Sequence, residues 1–215
     1  MAEDKPMNEI RRVGIMGGTF DPIHIGHLIL GECAYEQFDL ESVLYMPSGN
    51  PPHKKDMGDR ASNEHRIRMT QLAIASNTHF ELSLEEMGRE GYIYTNDTLR
   101  RLKEANPDTE YFFIMGADSL LQFHEWKNPQ IIADLSVLTV AVRNDMTMEE
   151  LKEQAERVKE RYNARICLMN VPNMEISSTE LRRRFASGMS CRYYLPDSVI
   201  SYIEKNRIYR SEKEE

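Results

Sequence analysis

Val13-Gly-Ile-Met-Gly-Gly-Thr-Phe-Asp-Pro-Ile-His-Ile-Gly-His-Leu28 opens as a short apolar run, breaks at a glycine pair and resumes as a helix. The run Val13–Met16 has the composition of a strand, and at Gly17 and Gly18 the absence of side chains lets a ligand reach the backbone. A helix is expected over Ile25–Gln37, with His24 and His27 in its opening turn, three residues apart and so on one face. A helix N-terminus presents unpaired N–H groups and the positive end of the dipole, which makes it a seat for phosphate. Two imidazoles there can donate to phosphate oxygens. The same pair could bind zinc, but further ligands cannot be assigned from sequence, or it could simply cap the helix. Neither the Gly-x-Gly-x-x-Gly dinucleotide fingerprint nor a P-loop occurs.

Outward from this segment, apolar runs alternate with amphipathic stretches along nearly the whole chain. Strands are expected at Val13–Met16, Ser42–Met46, Phe80–Ser83, Tyr111–Met115, Val137–Val142 and Arg165–Met169. Helices fit between and after them at Ile25–Gln37, Asn63–Ala75, Asn96–Glu104, Met148–Arg161, Ser178–Ala186 and Asp197–Lys205. Thr95 is expected to cap the third, Pro107 follows its end, and Gly188 follows the fifth. In the fourth, Leu151, Ala155, Val158 and Tyr162 form a narrow stripe, the mark of a structural surface helix. Nearly continuous apolar strands belong to a parallel sheet covered on both faces. The fold class is therefore α/β, a doubly wound, Rossmann-like parallel sheet with helices on both faces, and its ligand site lies beyond the C-terminal strand ends.

The 215 residues fit one domain at about 150 residues per domain, with 1–9 and 211–215 as frayed ends. With 27 basic against 35 acidic side chains the net charge is −8, the wrong sign for a protein held by nucleic-acid phosphates. No apolar run of about 18 residues occurs, which speaks against a membrane span, and the start lacks the pattern of a secretory leader, so a cytoplasmic location is expected. Cys33, Cys167 and Cys191 fit neither a disulfide framework nor a Cys-x-x-Cys zinc site and read as reduced thiols.

A second segment, Val171-Pro-Asn-Met-Glu-Ile-Ser-Ser-Thr-Glu-Leu-Arg-Arg-Arg184, follows the last expected strand. Ser177, Ser178 and Thr179 can cap a helix while offering hydroxyls and amides to an oxyanion, and Arg182 falls over the same opening turn. Ser177 and Glu180 also stand in capping-box relation. Between the second strand and second helix, Pro47–Asp59 reads as a long loop carrying His53, Lys54 and Lys55. A doubly wound sheet can bring the two phosphate-seeking helix starts to one crevice.

Gly-Gly-Thr-Phe-Asp-Pro followed by His-x-Gly-His, with the later Ile-Ser-Ser-Thr-x-x-Arg, resembles the two signatures of the nucleotidyltransferase superfamily. Pro51-Pro-His-Lys54, Tyr94-Thr-Asn-Asp-Thr98, Gly116-Ala-Asp118 and Trp126 are similar to motifs of the nicotinate-nucleotide adenylyltransferase family, and the resemblance runs from Arg11 to Tyr209. It implies adenylyl transfer from ATP to nicotinate mononucleotide, with Mg²⁺ bridging the ATP phosphates. On this resemblance Gly17, Gly18, Thr19, Phe20 and Gly116 line the ATP site and Asp118 binds ribose hydroxyls. His24 and His27 contact the phosphates, and Ser177, Ser178, Thr179 and Arg182 close the other side, with His24, His27 and Arg182 as the catalytic set. Lys54, Thr95, Trp126 and Arg143 fall to the acceptor, Trp126 stacking on its pyridine. The chain departs from the family in Arg143-Asn-Asp, where Arg-Pro-Gly is usual, and in Asn96. Phosphopantetheine adenylyltransferases and cytidylyltransferases share the two main motifs, and an idle nucleotide sensor on the same fold is the non-enzymatic alternative. A fragment of a class I aminoacyl-tRNA synthetase also shares His-x-Gly-His, but Ser-Ser-Thr replaces its lysine-rich second motif. On charge and apolar content no nucleic-acid or membrane partner is expected, and a homo-oligomer stays open.

Overall fold

The computed structural model describes residues 10–50, 60–89, 91–141 and 148–210. Six strands form one sheet: β1 (Arg11–Gly18), β2 (Ser42–Pro47), β3 (Phe80–Leu82), β4 (Thr109–Gly116), β5 (Ser136–Ala141) and β6 (Arg165–Met169). Their order is β3-β2-β1-β4-β5-β6 and every neighbouring pair is parallel. The doubly wound expectation is met. Strand order reverses between β1 and β4, so a crevice opens beyond Gly18 and Gly116, the place where open α/β sheets bind ligands. β1 and β4 extend past their apolar runs because ladder pairing continues through polar residues such as Arg11, opposite Thr109, and through Gly18, opposite Pro47. Val142, the last residue of the expected fifth strand, lies outside the described residues.

The helices are α1 (Ile25–Gln37), α2 (Asn63–Ile74), α3 (Thr95–Ala105), α4 (Ala117–Leu121), α5 (Pro129–Leu135), α6 (Met148–Tyr162), α7 (Ser178–Ala186) and α8 (Asp197–Lys205). Three of them, α1, α7 and α8, begin and end where the periodicity places them. α4, the 3-10 turn Phe123–Glu125 and α5 were not expected, since three to seven residues are too few to display a helical period. Thr95 does not cap α3: Tyr94 occupies the N-cap and Thr95 is the first helical residue, so its hydroxyl is not the cap. Asp118 lies inside the first turn of α4.

Successive residues of β4 face opposite layers, which explains the near-continuous apolar run. Phe112 and Ile114 join the layer with Leu30, Ala34, Met69, Leu181 and Val199, whereas Tyr111, Phe113 and Met115 join the one with Leu99, Leu120, Ile132 and Leu151. The α6 stripe of Leu151, Ala155, Val158 and Tyr162 is buried as expected. On α2 the buried stripe is Arg66, Met69, Thr70, Ala73 and Ile74, so a guanidinium holds a core position. Cys33, Cys167 and Cys191 are free thiols, each pushed up in pKa chiefly by burial. Among the described residues no helix is long and apolar enough to cross a membrane.

Candidate active site

β1 delivers the chain into the crevice at Gly17 and Gly18. A Cβ on Gly18 would lie 2.7 Å from the Phe20 ring, so glycine is what lets the strand end turn so tightly over that ring. Phe20 itself is buried and meets His27 edge-on, with centroids 5.1 Å apart. His24 is the N-cap of α1, and its N–H donates to Nδ1 of His27 at 3.3 Å. The two imidazoles lie against each other, 3.8 Å between centroids and tilted by 31°. Capping and phosphate binding are therefore not rival explanations, because the contact that caps the helix also fixes both rings at its positive end. Tyr45 Oη donates to the His27 carbonyl at 3.1 Å and anchors the same turn to β2.

α7 arrives from the other end of the chain. Ser177 caps it, accepting from the Glu180 N–H at 3.2 Å. Glu180 turns its carboxylate to Arg183 at 2.7 and 2.8 Å. Ser178 Oγ donates to the Pro22 carbonyl at 2.9 Å, and Arg182 Nη1 donates to the Asp21 carbonyl at 2.8 Å while its Nη2 reaches Thr179 Oγ1 at 3.3 Å. The two motif segments are thus joined, as the doubly wound topology allows. Asp21 is buried, and its Oδ1 accepts from the Ala61 N–H at 3.1 Å and from Tyr209 Oη at 2.6 Å. Arg66 Nη1 donates to the Thr19 carbonyl at 2.7 Å. Burial and the neighbouring Arg60 push the Arg66 guanidinium down to about 10, still charged at neutral pH.

Beside this junction lies a cleft of about 170 Å³, walled by Gly17, Gly18, Tyr94, Thr95, Phe113 and Trp126. Trp126 is half-buried and packs on Phe113 and Phe123, both with centroids 5.9 Å away, yet it keeps a side on the cleft. The ammonium of Lys127 sits 4.1 Å from the centre of the Tyr94 ring, a cation–π contact at the rim. Glu86 enters the same cleft. Burial pushes its carboxyl up, and the Thr98 hydroxyl at 2.9 Å together with Arg89 opposes that rise. His24, His27 and Arg182 do not line this cleft but gather about the Thr19–Pro22 turn next to it. Gly116 ends β4 at the crevice and Asp118 is exposed in the first turn of α4. Lys54, Arg143 and most of the expected Pro47–Asp59 loop lie outside the described residues. Among the described residues no group of three or more His, Cys, Asp and Glu could hold a metal ion.

The family model for cytidylyltransferase-like proteins matches residues 15–184. A Lachnoclostridium phytofermentans protein named "Probable nicotinate-nucleotide adenylyltransferase" is 44% identical over 200 residues, covering 93% of this chain and 100% of that protein. The chain belongs to the nicotinate-nucleotide adenylyltransferase family. A second member so named, from Moorella thermoacetica, is 42% identical over 93% of this chain and 92% of its own length. The fold is also that of the Plasmodium falciparum nicotinic acid mononucleotide adenylyltransferase solved in complex with NaAD, with a TM-score of 0.74 at 19% identity over 93% of this chain and 97% of that one. Within this family member, five structural participants were given no site role by the sequence: Asp21 and Tyr94, which stand inside quoted motifs, and Arg66, Glu86 and Tyr209, which stand outside them. Arg66 had a legible signal, a charge inside the apolar stripe of α2. Tyr209 had none.

Proposed function

We infer that the chain transfers the adenylyl group of ATP to the phosphate of nicotinate mononucleotide, releasing pyrophosphate and forming the deamido precursor of NAD. The observation that carries this reading is the joining of the two motif segments, Arg182 to the Asp21 carbonyl and Ser178 to the Pro22 carbonyl, beside a cleft of aromatic walls. A phosphate oxygen is already a competent nucleophile, so the reaction asks for positioning of two anions and for stabilisation of charge on the α-phosphate and departing pyrophosphate. His24, His27 and Arg182 supply donors and charge for that task. Gly17, Gly18, Thr19, Phe20 and Gly116 leave room for the nucleotide, Ser177, Ser178 and Thr179 close over the phosphates, and Asp118 takes the ribose hydroxyls.

The aromatic cleft suits the acceptor, with Trp126 offering a face to the pyridine and the start of α3 at Thr95 offering polar groups. Lys54 and Arg143 are assigned to acceptor binding on the family motif alone. A Mg²⁺ ion bound to the triphosphate would supply charge neutralisation, while His24, His27 and Arg182 would meet the phosphate oxygens beside it. The chain is taken as a single nucleotidyltransferase domain working in the cytoplasm.

The test is pyrophosphate release by the purified protein with ATP and Mg²⁺, comparing nicotinate mononucleotide, nicotinamide mononucleotide and phosphopantetheine. Release with nicotinate mononucleotide alone is expected. Release with phosphopantetheine instead overturns the acceptor assignment, and release with none of the three overturns the reaction.

A further inference from the structure

The last described turn of the chain reaches back to the first motif. After α8, Ile208 N–H closes onto the Ile203 carbonyl at 3.0 Å, and the next residue, Tyr209, has φ of 64°. That left-handed backbone is unfavourable for a bulky side chain and persists where the surroundings hold it. Two contacts hold this one. The Tyr209 ring lies 6.1 Å from that of Phe185 on α7, the helix that carries Arg182. Its hydroxyl donates to Asp21 Oδ1 at 2.6 Å, with Met69 Sδ at 3.9 Å behind it.

Asp21 is 1% exposed and Arg182 17% exposed, and Arg182 Nη1 lies 3.8 Å from Asp21 Oδ2 besides its bond to the Asp21 carbonyl. One carboxylate therefore takes the Tyr209 hydroxyl and the Ala61 N–H on Oδ1 and turns Oδ2 towards Arg182. Burial and the Asp21 charge push the Tyr209 phenol far above its ordinary value, so it stays protonated and donates throughout the neutral range. A carboxylate held from two sides on Oδ1 cannot rotate freely, so its other oxygen keeps its place 3.8 Å from Nη1. That ionic contact lies beyond hydrogen-bond range and adds to the Asp21 carbonyl bond in holding the guanidinium.

We propose that Tyr209 is a positioning residue for adenylyl transfer, acting through Asp21 to hold Arg182 where the phosphates react. The proposal rests on the reading that Arg182 serves the reacting phosphates. Tyr209→Phe keeps the ring against Phe185 and deletes only the hydroxyl. kcat is expected to fall on the order of tenfold, short of the hundredfold that a 1 Å misplacement costs, while KM for ATP and for nicotinate mononucleotide stays within about twofold and the thermal midpoint stays near that of the parent. In an Arg182→Ala background the same change is expected to cost no further kcat, since the group it orients is gone.

Unchanged kcat in Tyr209→Phe, or an equal loss with and without Arg182, overturns the proposal. Full activity in Arg182→Ala alone overturns the reading of Arg182 instead, so the two failures are distinguishable. Asp21→Asn gives a second route should Tyr209→Phe fold poorly: its amide oxygen still accepts from Tyr209 and Ala61, the charge facing Arg182 is lost, and kcat is expected to fall without a change in KM. Normal kcat in that variant also overturns the proposal.

Discussion

Ser178 Oγ and the Pro22 carbonyl stand 156 residues apart in the chain and 2.9 Å apart in space. The bond joins the loop after β1 to the first turn of α7, and Arg182 repeats the connection one turn further on. Anything that moves α7 therefore moves Ser178 and Arg182 relative to the loop that follows the glycine pair. Ground-state folding and the proposed catalytic geometry share these few contacts.

His27 faces the site from the first turn of α1 and is clamped by the His24 N–H and by Phe20. His27→Ala is expected to lower kcat at least ~100-fold, the order seen when a preorganised donor to developing charge is removed. Pyrophosphate release under saturating ATP and acceptor measures it; a folded variant with parental kcat sinks the assignment.

Trp126 packs on Phe113 and Phe123 and shows a side to the cleft. Replacing it by Ala is expected to raise KM for the mononucleotide about tenfold or more, the scale of losing one aromatic stack on a base, with a much smaller effect on KM for ATP. Equal effects on both substrates would mark the ring as packing alone.

Gly31 lies in the middle of α1, where a Cβ would stand 2.1 Å from Tyr45 Oη. Alanine gains about 1 kcal/mol of helix propensity at such a position, but overpacking against a fully buried tyrosine costs about 1–3 kcal/mol. That Cβ would also displace the Tyr45 hydroxyl from its bond to the His27 carbonyl. Gly31→Ala is expected to lose net stability in a urea titration and to weaken activity through the start of α1; a variant more stable than the parent contradicts the packing described.

Glu86 holds its proton more tightly folded than unfolded, because burial outweighs Thr98 and Arg89. As pH rises from the ordinary carboxylate value through the raised one, the unfolded chain releases that proton first, so this group's contribution to stability falls across that window. Glu86→Gln keeps an oxygen for Thr98 and has no proton to lose. Its thermal midpoint is expected to gain on the parent as pH climbs through the mildly acidic range, and parallel curves would show that the carboxyl is not held above its ordinary value.

Much of this architecture was legible because two covered faces force apolar continuity on the strands and 3.6-residue periodicity on the longer helices. α1, α7 and α8 have their expected limits. α4 and α5 escaped because two turns or fewer carry no period, although Pro129 at the first position of α5 is a start signal that could have been used. Thr95 looked like a cap because its hydroxyl suits the role, yet the backbone turns one residue earlier, at Tyr94. The motif residues were visible as motifs, but Asp21 reads there as one letter of a loop. Its meeting with Tyr209, 188 positions away, is a tertiary event that no local pattern encodes.

Trp126 is the only tryptophan in the chain, and it stands on the wall of the aromatic cleft. The molecule therefore carries its own optical reporter: excitation of the single indole samples one wall and nothing else. A ring seated against it would alter the emission directly, so occupancy of this cleft can be followed with no label and no turnover, apart from the nucleotide binding proposed about the Thr19–Pro22 turn.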